Sequence, residues 1–364
     1  MKPFRVIDTG VREGRSQIAF DQALIELHKE GSVPDTIRFL RFPPTALVGR
    51  HQALGQELKL DYCRANGIGT ARRITGGGAI YLDPGQLGWE LVFSRANLAL
   101  GALDDYAKAL GEALASGLSD GFGIDARFRP RNDIEVDGRK LCGAGGFFDG
   151  DTMIYQGTVL VDLDPARMVA CLNVPEAKLK KRGLDRAEQR VVTLKELLGG
   201  ETPVMASVTQ AVLNGFSNGL GIELHHADPS NKEEALAARH YAEEIGTEEF
   251  VHEIDEPAGA DLRTASQTGP GGTVSAHVRL DGPDETRIRE VLITGDFFVT
   301  PPRLIYDLEA SLRGVPAAKA GDMVDRFFAA QKPDLLTITP GDFRAAIESA
   351  IEQGCGRKPG DSIA

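Results

Sequence analysis

The sequence predicts an α+β fold, with a large unit over residues 1–245 and a smaller C-terminal α+β unit over 246–364. Three observations carry that expectation. Helix-spaced apolar stretches are mixed with hairpin signals rather than alternating regularly with strands, which argues for largely antiparallel sheets packed by helices over a doubly wound sheet. Composition shifts between residues 227 and 272, where Asp228-Pro229-Ser230, a charged helix and the run 266–272 (SQTGPGG) make a boundary region. Beyond it Val274, Ala276, Val278 and Leu280 alternate as in a half-buried strand. A second strand runs through 291–293, and helices are expected at 303–312, 320–330 and 341–352.

The elements of the larger unit follow in order. Residues 16–29 read as an amphipathic helix, with Ile18, Ala23, Leu24 and Leu27 near helical spacing. Residues 36–42 are strand-like, and Pro43-Pro44 breaks them before Ala46-Leu47-Val48. Gly49-Arg50-His51 opens a loop. Ala79-Ile80-Tyr81 and residues 90–93 read as a strand pair around the turn Asp83-Pro84-Gly85. Residues 104–118 are helical, rich in Ala and Leu. Residues 132–136 and Lys140-Leu141 flank Asp137-Gly138, a strong hairpin signal. Met153-Ile154-Tyr155 and residues 158–161 suggest a further strand. No internal repeat is visible.

The chain has 364 residues, 41 basic and 53 acidic, for a formal charge of −12. That balance argues against a general nucleic-acid binder, whose affinity rests on counterion release by Lys and Arg. Basic residues cluster locally at Arg127, Arg129 and Arg131 and again over 178–190. These are either solvated faces or attractors of an anionic ligand or acidic partner. The first ten residues (MKPFRVIDTG) lack a signal-peptide core, and no segment approaches a membrane span. Cys63, Cys142, Cys171 and Cys355 are scattered without metal or disulfide spacing, which fits reduced thiols in a cytoplasm.

Chemistry concentrates in two stretches. Residues 72–88 (RRITGGGAIYLDPGQLG) set Arg72 and Arg73 before Gly76-Gly77-Gly78. Three successive glycines disfavour helix and strand, so the reading is backbone brought close to a ligand, and the arginines suit phosphate or carboxylate. A plain turn between strands is the alternative. The second stretch, from Asn132-Asp133-Ile134 to Gly146, places Lys140 after a tight turn and before a second glycine-rich segment. Two such loops beside cations could surround an acyl-phosphate transition state.

At this point the chain resembles the lipoate–protein ligases of the biotin/lipoate protein ligase superfamily. Arg72-Arg73-Ile74-Thr75-Gly76-Gly77-Gly78-Ala79-Ile80 is similar to their RRxSGGGAV signature. Asn132-Asp133-Ile134 with Gly138-Arg139-Lys140-Leu141-Cys142-Gly143-Ala144 is similar to their ND(I/L)…(D/G)RK(I/V)SGSA segment, and Tyr155-Gln156-Gly157-Thr158-Val159-Leu160 to their HHGTLL strand. Ala19-Phe20-Asp21-Gln22-Ala23-Leu24 resembles an A-x-D-x-A-L helix, Val48-Gly49-Arg50-His51-Gln52 a VGRHQ loop, and residues 178–193 the basic loop that folds over the adenylate. The resemblance spans roughly residues 1–225. Residues 293–298 and 308–314 resemble the accessory domain that is a separate subunit in archaeal ligases, fused here. Leu82 and Gln156 stand where the family has histidines, and Cys142 where it has serine.

The resemblance implies a ligase-like catalytic domain with a fused accessory domain. It also implies a reaction in which lipoate and ATP give lipoyl-AMP, whose lipoyl group passes to a lysine of an acceptor. Lys140 would be catalytic. Arg72, Arg73, Gly76, Gly77, Gly78, Ala79, Asn132, Gly143, Ala144, Gly157 and Thr158 would bind the substrates. Asp133 would hold Mg²⁺, with a turn-capping role as the alternative. Implied partners are lipoyl domains of 2-oxoacid dehydrogenase acyltransferases, the glycine-cleavage H protein, or lipoate-binding proteins of sulfur oxidation. A cytoplasmic monomer is expected, with no nucleic-acid or membrane partner. The rival within the fold is an ATP-independent octanoyl or lipoyl transferase with a cysteine nucleophile. In one such group that cysteine precedes the Asn132-Asp133 segment, and residues 125–131 contain none. From another class, a non-catalytic lipoate or adenylate binder would lose the lysine that Lys140 supplies. A biotin ligase would show a GRGRxGR-type run, absent here.

Overall fold

Alternating side chains along eleven strands build two sheets in the N-terminal unit. The strands are β1 (Lys2–Val11), β2 (Thr36–Arg41), β3 (Thr45–Val48), β4 (Gly69–Arg72), β5 (Ile80–Leu82), β6 (Gln86–Ser94), β7 (Arg127–Arg129), β8 (Asp133–Val136), β9 (Arg139–Asp149), β10 (Thr152–Leu160) and β11 (Ile222–His226). The computed structural model describes residues 2–173, 190–255, 257–281 and 286–353. The main sheet runs β11-β1-β2-β6-β10-β9-β8-β7, and a three-stranded sheet runs β4-β3-β5. Parallel pairing is confined to β11-β1-β2 and β3-β4; the other pairs are antiparallel, so the unit is mixed α+β.

The main sheet is covered on both faces, which is why β6 is buried along nearly its whole length. One face carries Trp89, Leu91, Phe93 and Tyr155 against the helices Leu103–Phe122 and Met205–Leu220. Those helices meet through glycines: a Cβ on Gly117 would stand 2.7 Å from Gly215 Cα. The opposite face carries Ile7, Leu40, Val92 and Ile154 against the helix Gly14–Lys29. Arg38, from β2, is fully buried there between Asp21 of that helix and Glu90 of β6, with Arg38 Nε 2.8 Å from Glu90 Oε1. Burial, against which the single guanidinium pulls, raises Asp21 to about 6 and Glu90 well above its usual range. The A-x-D-x-A-L motif is thus a helix-to-sheet anchor.

Several expectations change in detail. Residues 79–81 and 90–93 do not pair: β5 joins β3, whereas β6 joins β2 and β10. The Asp83-Pro84-Gly85 turn therefore passes the chain between two sheets. The two segments read around Gln156 are one continuous β10. The Asp137-Gly138 hairpin is as expected, with φ of 51° and 75° as a type I′ turn demands.

In the C-terminal unit, β12 (Arg263–Gly269), β13 (Gly272–Asp281) and β14 (Arg287–Gly295) form an antiparallel sheet. Val274, Ala276 and Val278 are fully buried, while the register shift after Arg279 takes Leu280 out of that alternation. The helices Leu304–Leu312, Ala320–Gln331 and Pro340–Glu352 cover one face. Phe250 and Val251, in the helix Glu248–Val251, pack into cores of the N-terminal unit, although the composition change places a boundary before them. Among the described residues, no helix is long and apolar enough to cross a membrane.

Candidate functional site

The site starts from the pleat of β9. Residues paired across a ladder share a face, so Asp133, Gly143 and Thr158 form one row. Gly145, Gln156 and Glu90 form the next row. Neither Gly143 nor Gly145 has a Cβ, which leaves a trough above the strand that the Lys140 side chain enters over Gly143 and the Phe298 ring over Gly145. A bulge then re-aims Lys140. Ile134 pairs with Cys142 but Glu135 pairs with Lys140, so Leu141 is the extra residue. Leu141 and Cys142 are both buried in the core as a result, and Lys140 returns to the trough side. Its Nζ lies too close to Gly143 for a Cβ to stand there, and 2.8 Å from Asp133 Oδ1.

Asp133 sits between two cations, with Oδ2 2.6 Å from Arg129 Nη2. Burial works against its charge, but Lys140 and Arg129 outweigh that and hold it down to about 2. Both carboxylate oxygens are therefore engaged by positive groups. A Mg²⁺ held by Asp133, as expected from the resemblance, would have to share those oxygens with two cations already in place. Among the described residues no cluster of acidic, His and Cys side chains is arranged for a metal.

The glycine loop forms the opposing wall. Gln156 Nε2 donates to Thr75 Oγ1 at 2.8 Å, tying the floor to the loop. Arg73 lies beneath: Nη2 donates to Gly76 O at 2.9 Å and to Gly78 O at 2.7 Å. Burial lowers Arg73 to about 10, and its Nη1 has no hydrogen-bond partner among the described residues. The peptide planes are thereby fixed, since a trans peptide points its N–H opposite its C=O. Gly77 N–H accordingly faces away from Arg73 and donates to Phe297 O of the C-terminal unit at 3.1 Å.

Arg72 takes no such position. It is 1% exposed and donates to carbonyls of Gly49, Gln52, Val251 and Ile254, among others, at 2.7 to 3.2 Å. Burial, and then Arg50 nearby, lowers it to about 10. It knits the loop 49–52 to the end of the N-terminal unit rather than facing phosphate. Gly157 and Ala144 lie on the other face of the sheet; a Cβ on Gly157 would meet the Trp89 ring at 2.5 Å. Ala79 packs with the cluster around Tyr81. The Asn132 amide donates to Ala144 O, extending the hairpin. The arginine cluster is engaged piecemeal: Arg127 pairs with Asp125, Arg129 with Asp133 and Glu135, and Arg131 donates to the backbone Asp296 O at 2.8 Å. Residues 174–189, which hold most of the basic stretch, lie outside the described residues.

Arg50 and His51, which the sequence left as loop residues, belong to the junction with the C-terminal unit. Arg50 pairs with Glu253 and lies over the Tyr306 ring. His51 stacks on Phe297 at 5.1 Å, and burial first, then Arg50 and Arg72, lowers it to about 3. Only their place in the VGRHQ loop could have flagged them.

Residues 13–217 match the family model described as the lipoyl protein ligase A/B catalytic domain. The chain belongs to that family. A similar relative, the octanoyltransferase LipM of Kyrpidia tusciae, is 29% identical over 67% of this chain and 98% of its own length. A chain from the bi-partite lipoate protein ligase and E2 lipoyl domain system of Thermoplasma acidophilum is 26% identical, with a TM-score of 0.60 over 71% of this chain and 99% of that one. The P. falciparum protein LipL1 in complex with lipoate shares the fold through the C-terminal unit, with a TM-score of 0.71 over 96% of this chain and 99% of that one at 16% identity. This member of the lipoyl ligase family is therefore an enzyme of the lipoate ligase and transferase group, and its relatives fall on both sides of that division.

Proposed function

We propose that the chain is an ATP-dependent lipoate–protein ligase, which makes lipoyl-AMP and passes the lipoyl group to a lysine of a lipoyl-domain acceptor. The observation that carries the reading over a thioester transferase is the state of the three cysteines among the described residues, Cys355 lying outside them. A thiol nucleophile must be reachable and readily ionised. Cys142, the one described cysteine on the strand of the trough, is fully buried, faces the helices, and is pushed by burial up to about 12. Cys63 and Cys171 are buried as well, and burial raises both thiols. Lys140, in contrast, is presented to the trough.

The chemistry assigned to these residues runs in two steps. A lipoate carboxylate oxygen attacks the α-phosphorus of ATP and pyrophosphate leaves. The neutral amine of an acceptor lysine then attacks the acyl carbon, AMP departs with the bonding pair, and the amine loses its extra proton. Negative charge grows first on the phosphoryl oxygens and then on the acyl oxygen, so one fixed ammonium between them lowers both barriers. An ammonium carries three donors, so Lys140 can keep Asp133 with one and turn others to the ligand. Asp133 is then a positioning residue, and no step needs a metal at it. Arg73 holds the carbonyls of the glycine loop away from the anion and adds positive charge. The E2 lipoyl domain named with the Thermoplasma ligase supports the acceptor type.

The test is the mass of a lipoyl-domain acceptor incubated with the full chain. ATP with lipoate should add one lipoyl group, and an octanoyl thioester on acyl carrier protein without ATP should add nothing. The reverse result would make the chain a transferase.

A further inference from the structure

The glycines of the loop are close to something, and it is the C-terminal unit. A Cβ on Gly76 would collide with Phe297 O, and one on Gly77 would stand 2.6 Å from Phe298 Cζ. A Cβ on Gly145, across the trough, would run into the same ring. Phe298 thus lies as a wedge between the glycine loop and the floor strand, and it packs into the N-terminal core. Its neighbours fasten it there. Phe297 O accepts from Gly77 N–H, Gly295 N–H donates to His51 O at 3.0 Å, and Asp296 O accepts from Arg131. Arg73 and Phe297 therefore grip the two sides of a single peptide, that between Gly76 and Gly77.

We propose that Phe298 is a positioning residue of the acyl-activation site: its ring sets the gap between the glycine loop and β9, and Phe297 fixes the loop's peptide orientation. The C-terminal unit is on this account one wall of the site. The assignment rests on the proposed function for what the gap admits, but not for the wedge itself. A flat, rigid ring between two Cβ-less positions holds a separation that a shorter side chain lets vary. The glycines at 77 and 145 follow from the ring, not from ligand approach alone.

The full chain is compared with Phe298→Ala, Phe298→Leu, Gly145→Ala and the Gly145→Ala/Phe298→Ala pair. Amide exchange of the peptide covering residues 73–79 should quicken in the order wild type, Leu, Ala, while exchange in β6 stays unchanged. The lipoate concentration at half-saturation should rise about tenfold or more in Phe298→Ala, beyond any change in kcat, as expected when a positioning contact slips. Gly145→Ala should be damaging alone and add no further damage once Phe298 is trimmed. Unaltered exchange over 73–79 in a folded Phe298→Leu or Phe298→Ala chain would overturn the proposal. So would equal damage from Gly145→Ala in both backgrounds, which would return Gly145 to ligand approach. A wild type that activates no acid would remove the proposed function, while the exchange data would still decide the wedge.

Discussion

At the scale of single residues, Asp133 and Lys140 show what a motif conveys and what it withholds. The hairpin and the lysine after it are legible from Asp137-Gly138, but the bulge at Leu141 that turns Lys140 back over Gly143 is not. Nor is the second cation on Asp133, because Arg129 reads as part of a basic cluster until the ladder places it. The depressed carboxyl has a pH consequence. A group whose folded pKa lies below its unfolded value stabilises the fold above the unfolded value and loses that contribution as pH falls through the folded one. The stability difference between wild type and Asp133→Asn, measured by urea unfolding, should stay level from about pH 5 to 8 and shrink below about pH 4 toward 2. A difference that grows on acidification would mean the carboxyl is not held by Lys140 and Arg129.

At the scale of elements, most strands and helices were legible because their apolar period is clear, as in 16–29 and 274–278. Pairing was less so. Ile80–Leu82 and Gln86–Ser94 look like a hairpin because a Pro-Gly turn joins them, yet long-range partners claim each one. The helices Leu103–Phe122 and Met205–Leu220 illustrate the same limit: each is evident alone, and their glycine-to-glycine crossing is not. Gly117→Val should force that crossing apart and destabilise the protein by about 1–3 kcal/mol, beyond its effect on helix propensity. The check is a chemical denaturation curve for each protein. A midpoint equal to wild type would show that the helices can separate freely there.

At the scale of the molecule, the sequence located the glycine loop but not its neighbour in the C-terminal unit. Gly77 meets Phe297 and Phe298, some 220 residues away in the chain, and no local pattern carries such a contact. A C-terminal unit that contributes Phe298 and Leu336 to the N-terminal core should not melt independently. Trp89, the chain's single tryptophan, is buried in that core, so its fluorescence reports the N-terminal unit alone. Thermal transitions followed by Trp89 and by far-ultraviolet circular dichroism should coincide, as for one cooperative unit. An earlier dichroism transition with unchanged fluorescence would contradict the joint core.

The central claim is that Lys140 drives acyl-adenylate formation over the trough of β9. Its most direct test needs no acceptor protein: pyrophosphate release and lipoyl-AMP formation are followed after ATP and lipoate are mixed with wild type or with folded Lys140→Ala. The account predicts lipoyl-AMP with wild type and a loss of about a hundredfold or more with the variant. Adenylate formed at near-wild-type rate by Lys140→Ala would contradict it.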